Sequence, residues 1–171
     1  MKTTPSKSVL TLRGKVYGYF QPPMKSNTVA LERIDATASE ASTLSKVLLI
    51  FVARNPRAGG QVVVGWYRNA TIQREVQGDA PYPVKGGWRV WNAKAKATTA
   101  VLLHDARRTH QIKSGAGGFG ESNVCYPLEV NGSHKQNTWM AKAIDFVERY
   151  DAPNAMTQPE LSAVKEAIDG L

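Results

Sequence analysis

Two apolar runs separated by a turn constrain the fold more than any other feature of the chain. Lys46 to Ala53 holds Val47, Leu48, Leu49, Ile50, Phe51 and Val52 in unbroken succession, and Gln61 to Arg68 holds Val62, Val63, Val64, Gly65, Trp66 and Tyr67. Continuous apolar runs of strand length belong in strands covered on both faces. The intervening Asn55-Pro56-Arg57-Ala58-Gly59-Gly60 is a turn by composition, so the two runs are expected to form a hairpin. Each face of that hairpin needs cover, and 171 residues, 42% of them hydrophobic, can supply it within one domain.

The flanking signals are shorter. Gly14 to Gln21 is expected as a strand, since β-branched and aromatic residues dominate it and Pro22-Pro23 stops it. Asn27 to Leu44 is rich in Ala, Ser and Thr, with Leu31 and Ile34 apolar, which predicts a short helix followed by a loop. Trp88 to Ala93 and Thr99 to Leu103 are expected strands, and Gly115 to Gly120 a flexible loop. Asn137 is placed to cap a helix whose apolar residues Met140, Ile144, Val147 and Tyr150 recur at helical spacing; Pro159-Glu160 opens a second helix through Leu161, Val164 and Ile168. The expected fold is α+β: a single domain spanning residues 1–171, with a mixed, curved β-sheet and C-terminal helices.

Charge narrows the partners. The net charge is +8, but residues 140–171 hold three basic against six acidic groups, so the first 139 residues carry +11. A field of that sign attracts polyanions, with nucleic acid ahead of an anionic membrane surface. No apolar run reaches the roughly eighteen residues needed to cross a bilayer, so a cytoplasmic protein with no membrane partner is expected. Cys125 is the single cysteine, which excludes a disulfide framework or a multi-cysteine zinc site within the chain.

Motifs for catalysis and nucleotide binding do not hold up in context. Gly115, Gly117 and Gly120 match G-x-G-x-x-G, yet Ser122-Asn123-Val124-Cys125-Tyr126-Pro127 is extended in character where a dinucleotide site needs a helix. In the same loop Glu121 stands where a P-loop needs its lysine. Three histidines, His104, His110 and His134, assemble no His-Asn-His nuclease arrangement, and His104-Asp105 has no second ligand pair. No G-x-S-x-G elbow occurs. A binding domain is expected, with no catalytic residue, metal or cofactor.

Gly65-Trp66-Tyr67-Arg68-Asn69-Ala70-Thr71 places an arginine, an asparagine and two aromatics at the end of an apolar strand. Arginine can grip guanine edges and asparagine adenine edges, while tyrosine offers rigid area. Alternation puts Trp66 and Arg68 on one face and Tyr67 on the other. The competing reading is a core Trp66 with Arg68 as a solvated charge.

Taken together, Gly59-Gly60-Gln61-Val62-Val63-Val64-Gly65-Trp66-Tyr67-Arg68-Asn69-Ala70-Thr71, the stretch Ala100-Val101-Leu102-Leu103, and Gly118-Phe119-Gly120-Glu121-Ser122-Asn123-Val124-Cys125-Tyr126-Pro127 resemble the sulfur-binding domains of type IV restriction endonucleases that act on phosphorothioated DNA. The resemblance covers roughly the middle two thirds of the chain. It implies a domain that binds double-stranded DNA carrying sulfur in place of a non-bridging phosphate oxygen, as the targeting module of a modification-dependent restriction endonuclease. Cleavage would come from a separate HNH nuclease domain, and this chain would be a reader domain excised from the larger enzyme.

Carried over to these residues, the resemblance puts Tyr126 and Pro127 at a nonpolar surface cavity for the sulfur, with Tyr67 and Arg68 beside it. Asn69, Ala70, Ser122 and Asn123 belong to the same motifs; Glu121 stands where the family is expected to have glutamine. The chemistry is coherent: sulfur is polarizable, a poor hydrogen-bond acceptor, and loses little when stripped of water, whereas an anionic oxygen in a dry cavity loses hydration without gaining a partner. Arg57, Arg74, Arg107, Arg108 and Lys113 are the candidate phosphate ligands. Two alternatives stay open: a reader of a modified or flipped base that stacks on Trp66 and Tyr67, and a small nuclease using His104, Asp105 and Glu121 around a metal.

Overall fold

The computed structural model describes residues 11–12, 14–56, 58–78, 90–120, 122–135, 137–152 and 154–155. Among them seven strands form one sheet: β1 (Thr11–Leu12), β2 (Lys15–Gly18), β3 (Thr43–Arg54), β4 (Gln61–Gln77), β5 (Trp91–Lys96), β6 (Ala100–Leu102) and β7 (Gln111–Ile112). One helix, α1, spans Thr138–Arg149, and four 3-10 turns lie at Leu31–Arg33, Ala36–Ala38, Ala97–Thr99 and Asp105–Arg107. The domain is α+β, as expected. Every pairing between these strands is antiparallel, where a mixed sheet was expected. The expected second helix lies outside the described residues.

The expected hairpin is the spine of the fold. β3 runs along one edge of β4 from Arg54↔Gln61 to Thr43↔Gln73. The other edge of β4 takes three partners in succession: β7 at Gln61 and Val62, β6 from Gly65 to Tyr67, and β5 from Thr71 to Gln77. β2 pairs with the far side of β5, and β1 with β2. Gly65 is what lets β6 approach, because a Cβ there would run into the Val101 carbonyl.

Extra residues interrupt the ladder. β4 carries Val64 against the step from Phe51 to Val52, and an additional residue at Arg68–Asn69 against Leu48; β3 carries one at Ser45–Lys46. Lys46 and Asn69 have φ of 61° and 51°, the left-handed conformation that such a bulge uses. Each insertion flips the inside–outside parity, so Tyr67 shares a face with Ala70 and Ile72 despite the odd spacing.

Both faces of the hairpin are covered. One core gathers Val47, Leu49, Phe51, Tyr67, Ile72 and Val16 beneath the segment holding Val29, Leu31 and Ala38. The other gathers Leu48, Ile50, Val52, Val63, Trp66 and Leu103 beneath α1. The helix stripe differs from the expected one: Ala143 and Val147 are buried, Trp139, Phe146 and Tyr150 pack alongside, and Ile144 is exposed. Asn137 precedes the first turn, as expected, but makes no side-chain capping bond. The helix expected within Asn27–Leu44 is replaced by two 3-10 turns, the second capped by the Asp35 carboxylate accepting from the Thr37 N–H at 2.9 Å.

β4 also outruns its expected end by nine residues, from Arg68 to Gln77. β5 begins at Trp91, three residues after the expected Trp88, and Trp88 itself lies outside the described residues. Asn92 is fully buried and clasps the chain leaving β2: its Oδ1 accepts from the Phe20 N–H at 3.1 Å, and its Nδ2 donates to the Phe20 carbonyl at 2.7 Å. Both ends of the buried amide are thereby satisfied.

Candidate nucleic-acid interface

The two aromatic segments meet in the structure, but in its interior. Tyr67 and Tyr126 are each 3% exposed and belong to the same core. The Tyr67 ring packs edge-on against Phe51 at 4.9 Å and its hydroxyl donates weakly to the Tyr17 carbonyl at 3.4 Å. Gly18 leaves room for these rings, since a Cβ there would lie 3.1 Å from Tyr67 Cε2 and 3.2 Å from Phe51 Cζ. The Tyr126 hydroxyl accepts from the Ala30 N–H, and the Arg33 guanidinium sits 4.8 Å above its ring. Burial pushes the Tyr126 phenol and the Cys125 thiol above their ordinary pKa values.

These positions correct the expected cavity. A ring with 3% of its surface exposed cannot wall a recess for a backbone sulfur, so Tyr126 supports its loop from beneath rather than contacting a ligand, and Tyr67 fills core. Ala70 is fully buried and cannot touch DNA either. What the same segments expose is Asn69 on β4 and Ser122, Asn123 and Pro127 on the loop after the glycines. That loop is held from within. The Ser122 hydroxyl donates to the Val124 carbonyl at 2.8 Å, the Pro127 carbonyl accepts from the Lys135 N–H, and the Leu128 N–H donates to the Arg33 carbonyl.

Stacking on a flipped base fails for the same reason, because Trp66 is 1% exposed and packs on Phe146 and Tyr150 of the helix segment. The alternation of the strand is as expected: Arg68 follows Trp66 onto the α1 side, where it pairs with Glu148 and donates to the Val147 carbonyl at 2.9 Å. It therefore ties the sheet to the helix, and a base edge would have to displace Glu148 to reach it.

The expected phosphate ligands divide by engagement. Arg74 is a structural clamp: Nε donates to the Ala41 carbonyl, Nη2 to those of Ala38 and Ser39, and Nη1 pairs with Glu32 at 2.9 Å. Burial opposes ionisation of Glu32, but its own backbone N–H and Arg74 outweigh that and hold the carboxyl below its ordinary range. Arg108 is committed to Asp105 at 2.6 Å and to the Leu103 carbonyl. Arg107 and Lys113 are exposed and form no ion pair with a described residue. Arg57 lies outside the described residues, as does Glu121.

Arg107 opens onto a cleft of 540 Å³ between the 3-10 turn Asp105–Arg107 and α1, lined also by His110, Lys142, Asp145 and Arg149. Lys142 and Arg149 were not among the expected ligands, since the helix segment is acidic in sum. His110 stacks on Phe146 at 5.0 Å, and burial, with the Lys142 charge, holds its pKa below the ordinary value. Asp145 pairs with Arg149 at 2.8 Å.

The glycine loop closes on itself: the Phe119 N–H donates to the Lys113 carbonyl at 2.7 Å, the Gly115 N–H to that of Phe119, and Phe119 packs against Trp139. His104 and Asp105 are exposed, and among the described residues no three His, Cys, Asp or Glu side chains converge on a metal position. No described helix is long and apolar enough to cross a membrane. No protein-family model, curated protein or solved structure matches the chain.

Proposed function

We propose that the chain is a non-catalytic reader of double-stranded DNA, binding the backbone through exposed cations, with a preference for phosphorothioate set by the loop Ser122–Pro127. The observation that carries DNA binding is the surplus of uncommitted positive charge. Lys46, Arg54, Arg107, Lys113 and Lys142 are exposed and unpaired with any described carboxylate, in a chain of net charge +8. Such side chains release counterions from DNA without first breaking an internal bond.

The sulfur preference rests on the family resemblance and on chemistry. Pro127 is the exposed apolar ring of the expected pair, on the loop that also exposes Ser122 and Asn123, and a soft, weakly hydrated sulfur loses less against it than an anionic oxygen does. The targeting role within a restriction endonuclease, with an HNH domain supplying cleavage, belongs to the same proposal.

A gel-shift comparison of matched duplexes with and without one phosphorothioate tests it. Tighter binding of the modified duplex is expected. Equal affinity rejects the sulfur preference and leaves DNA binding; binding of neither rejects both. Metal-dependent cleavage by the isolated chain would replace the reader with a nuclease.

A further inference from the structure

Register places like charges opposite one another in the β2–β5 ribbon. Lys15 faces Lys96 and Tyr17 faces Lys94, while the alternate positions Val16, Ala93 and Ala95 are buried in the core. Lys94 is also the partner of Thr71 on β4, whose hydroxyl lies 3.2 Å from that of Ser45. One side of this half of the sheet is thus apolar and covered; the other presents Lys15, Lys94 and Lys96 with Tyr17 and Trp91. Lys15 and Lys96 are exposed, and Lys94, Tyr17 and Trp91 half-buried. The helix α1 covers this same side only farther along, where Trp66 and Ile50 lie beneath it and Arg68 meets Glu148.

Like charges directly opposite on an antiparallel pair destabilise a sheet. None of the three lysines forms an ion pair with a described residue; Lys94 Nζ lies 5.6 Å from the Trp91 ring centre. Tyr17 holds Trp91 edge-on at 5.2 Å, so the aromatic pair sits beside the Lys94 ammonium on the same face. Glu75 is exposed on β4 and pairs with none of them. A polyanion laid across the ribbon would relieve the repulsion between Lys15 and Lys96.

We propose that this ribbon face, Lys15, Lys94 and Lys96 over Tyr17 and Trp91, is where the chain holds the phosphate backbone of duplex DNA. The proposal rests on the DNA-binding reading and adds its location. It predicts an opposition between stability and binding: the residues that weaken the free sheet are those that grip the ligand.

The test uses an unmodified duplex and the full chain, with binding measured between 50 and 200 mM salt. The Lys15→Gln, Lys94→Gln, Lys96→Gln triple variant is expected to lower the slope of log affinity against log salt by about 2.7, so that the affinity lost over that range shrinks about fortyfold. Lys96→Glu places opposite charges across the ribbon; it is expected to raise the melting temperature of the free chain by about 1–3 °C while weakening DNA binding. Lys25→Gln, in the segment that covers the opposite face, should leave the slope unchanged. Parent-like binding by the triple variant overturns the location and leaves DNA binding standing, as does a slope change of about 0.9 from Lys25→Gln, the same per lysine as in the triple variant. Failure of the parent chain to bind any duplex overturns both.

Discussion

The Tyr126 hydroxyl accepts a hydrogen bond from the Ala30 backbone N–H at 3.1 Å, joining residues 96 positions apart. The bond pins the loop carrying Ser122, Asn123 and Pro127 to the segment that covers the core, and it gives Tyr126 a structural role that a surface contact would not have. Removing it with Tyr126→Phe leaves the Ala30 donor without a partner and should cost about 1–2 kcal/mol. Tyr126→Ala also empties the core and should cost about 3–5 kcal/mol. Urea denaturation measures both; an unchanged midpoint for Tyr126→Phe would mean that the hydroxyl does not hold Ala30, and one for Tyr126→Ala would place the ring outside the core.

Arg74 and Arg107 carry the same charge but should fail differently. Arg74 donates to three carbonyls and to Glu32 in a fork that lysine cannot reproduce, so Arg74→Lys should lose about 1–3 kcal/mol although the charge is kept. Arg107→Gln removes an exposed side chain and should leave the melting temperature within about 1 °C. If Arg107 touches a phosphate, its loss should lower the salt slope of DNA binding by roughly one, and Arg74→Lys, in the fraction still folded, should not. Thermal melts and salt titrations on the same preparations separate the two roles.

Asn69 sits at φ 51° where β4 takes its extra residue. A glycine accepts that conformation freely and a β-branched residue does not. Asn69→Gly should change stability by less than about 0.5 kcal/mol, whereas Asn69→Val should cost about 1–2 kcal/mol. Equal effects would show that the side chain, not the backbone, is what matters at the bulge.

The same bulge explains what could be read in advance. The hairpin was legible because Val47–Val52 and Val62–Tyr67 are apolar on both faces and the turn between them is rich in glycine. β4 beyond Arg68 was not: the insertion at Arg68–Asn69 breaks the period-two pattern, and from Thr71 to Val76 only Ile72 and Val76 are apolar, with Arg74 between them on the same face. The family resemblance alone places Tyr126 at a surface cavity, and its partner Ala30 lies in a segment whose short 3-10 turns leave no periodic signal. Lys15 and Tyr17, and Lys94 and Lys96, alternate in sequence as one face of a strand must. Only the pairing register, set by contacts far apart in the chain, brings Lys15 against Lys96.

His110 links the cleft beside α1 to pH. Burial and the Lys142 charge hold its folded pKa below the ordinary value, so between that ordinary value, about 6.5, and the lower folded one the unfolded chain binds more protons. Stability should therefore fall as pH drops through this window and should be insensitive to His110 above it. The charges around it are mixed, with Arg107, Lys142 and Arg149 against Asp145 and Asp151; Arg149 is paired with Asp145, and Lys142 is the charge that opposes the imidazolium. Melting temperatures from pH 7.5 to 5.5 should decline more steeply for the parent chain than for His110→Gln, with Lys142→Gln between them. Parallel curves for all three would mean that the imidazole titrates alike in the folded and unfolded chains, and that the stack on Phe146 does not withdraw it from water.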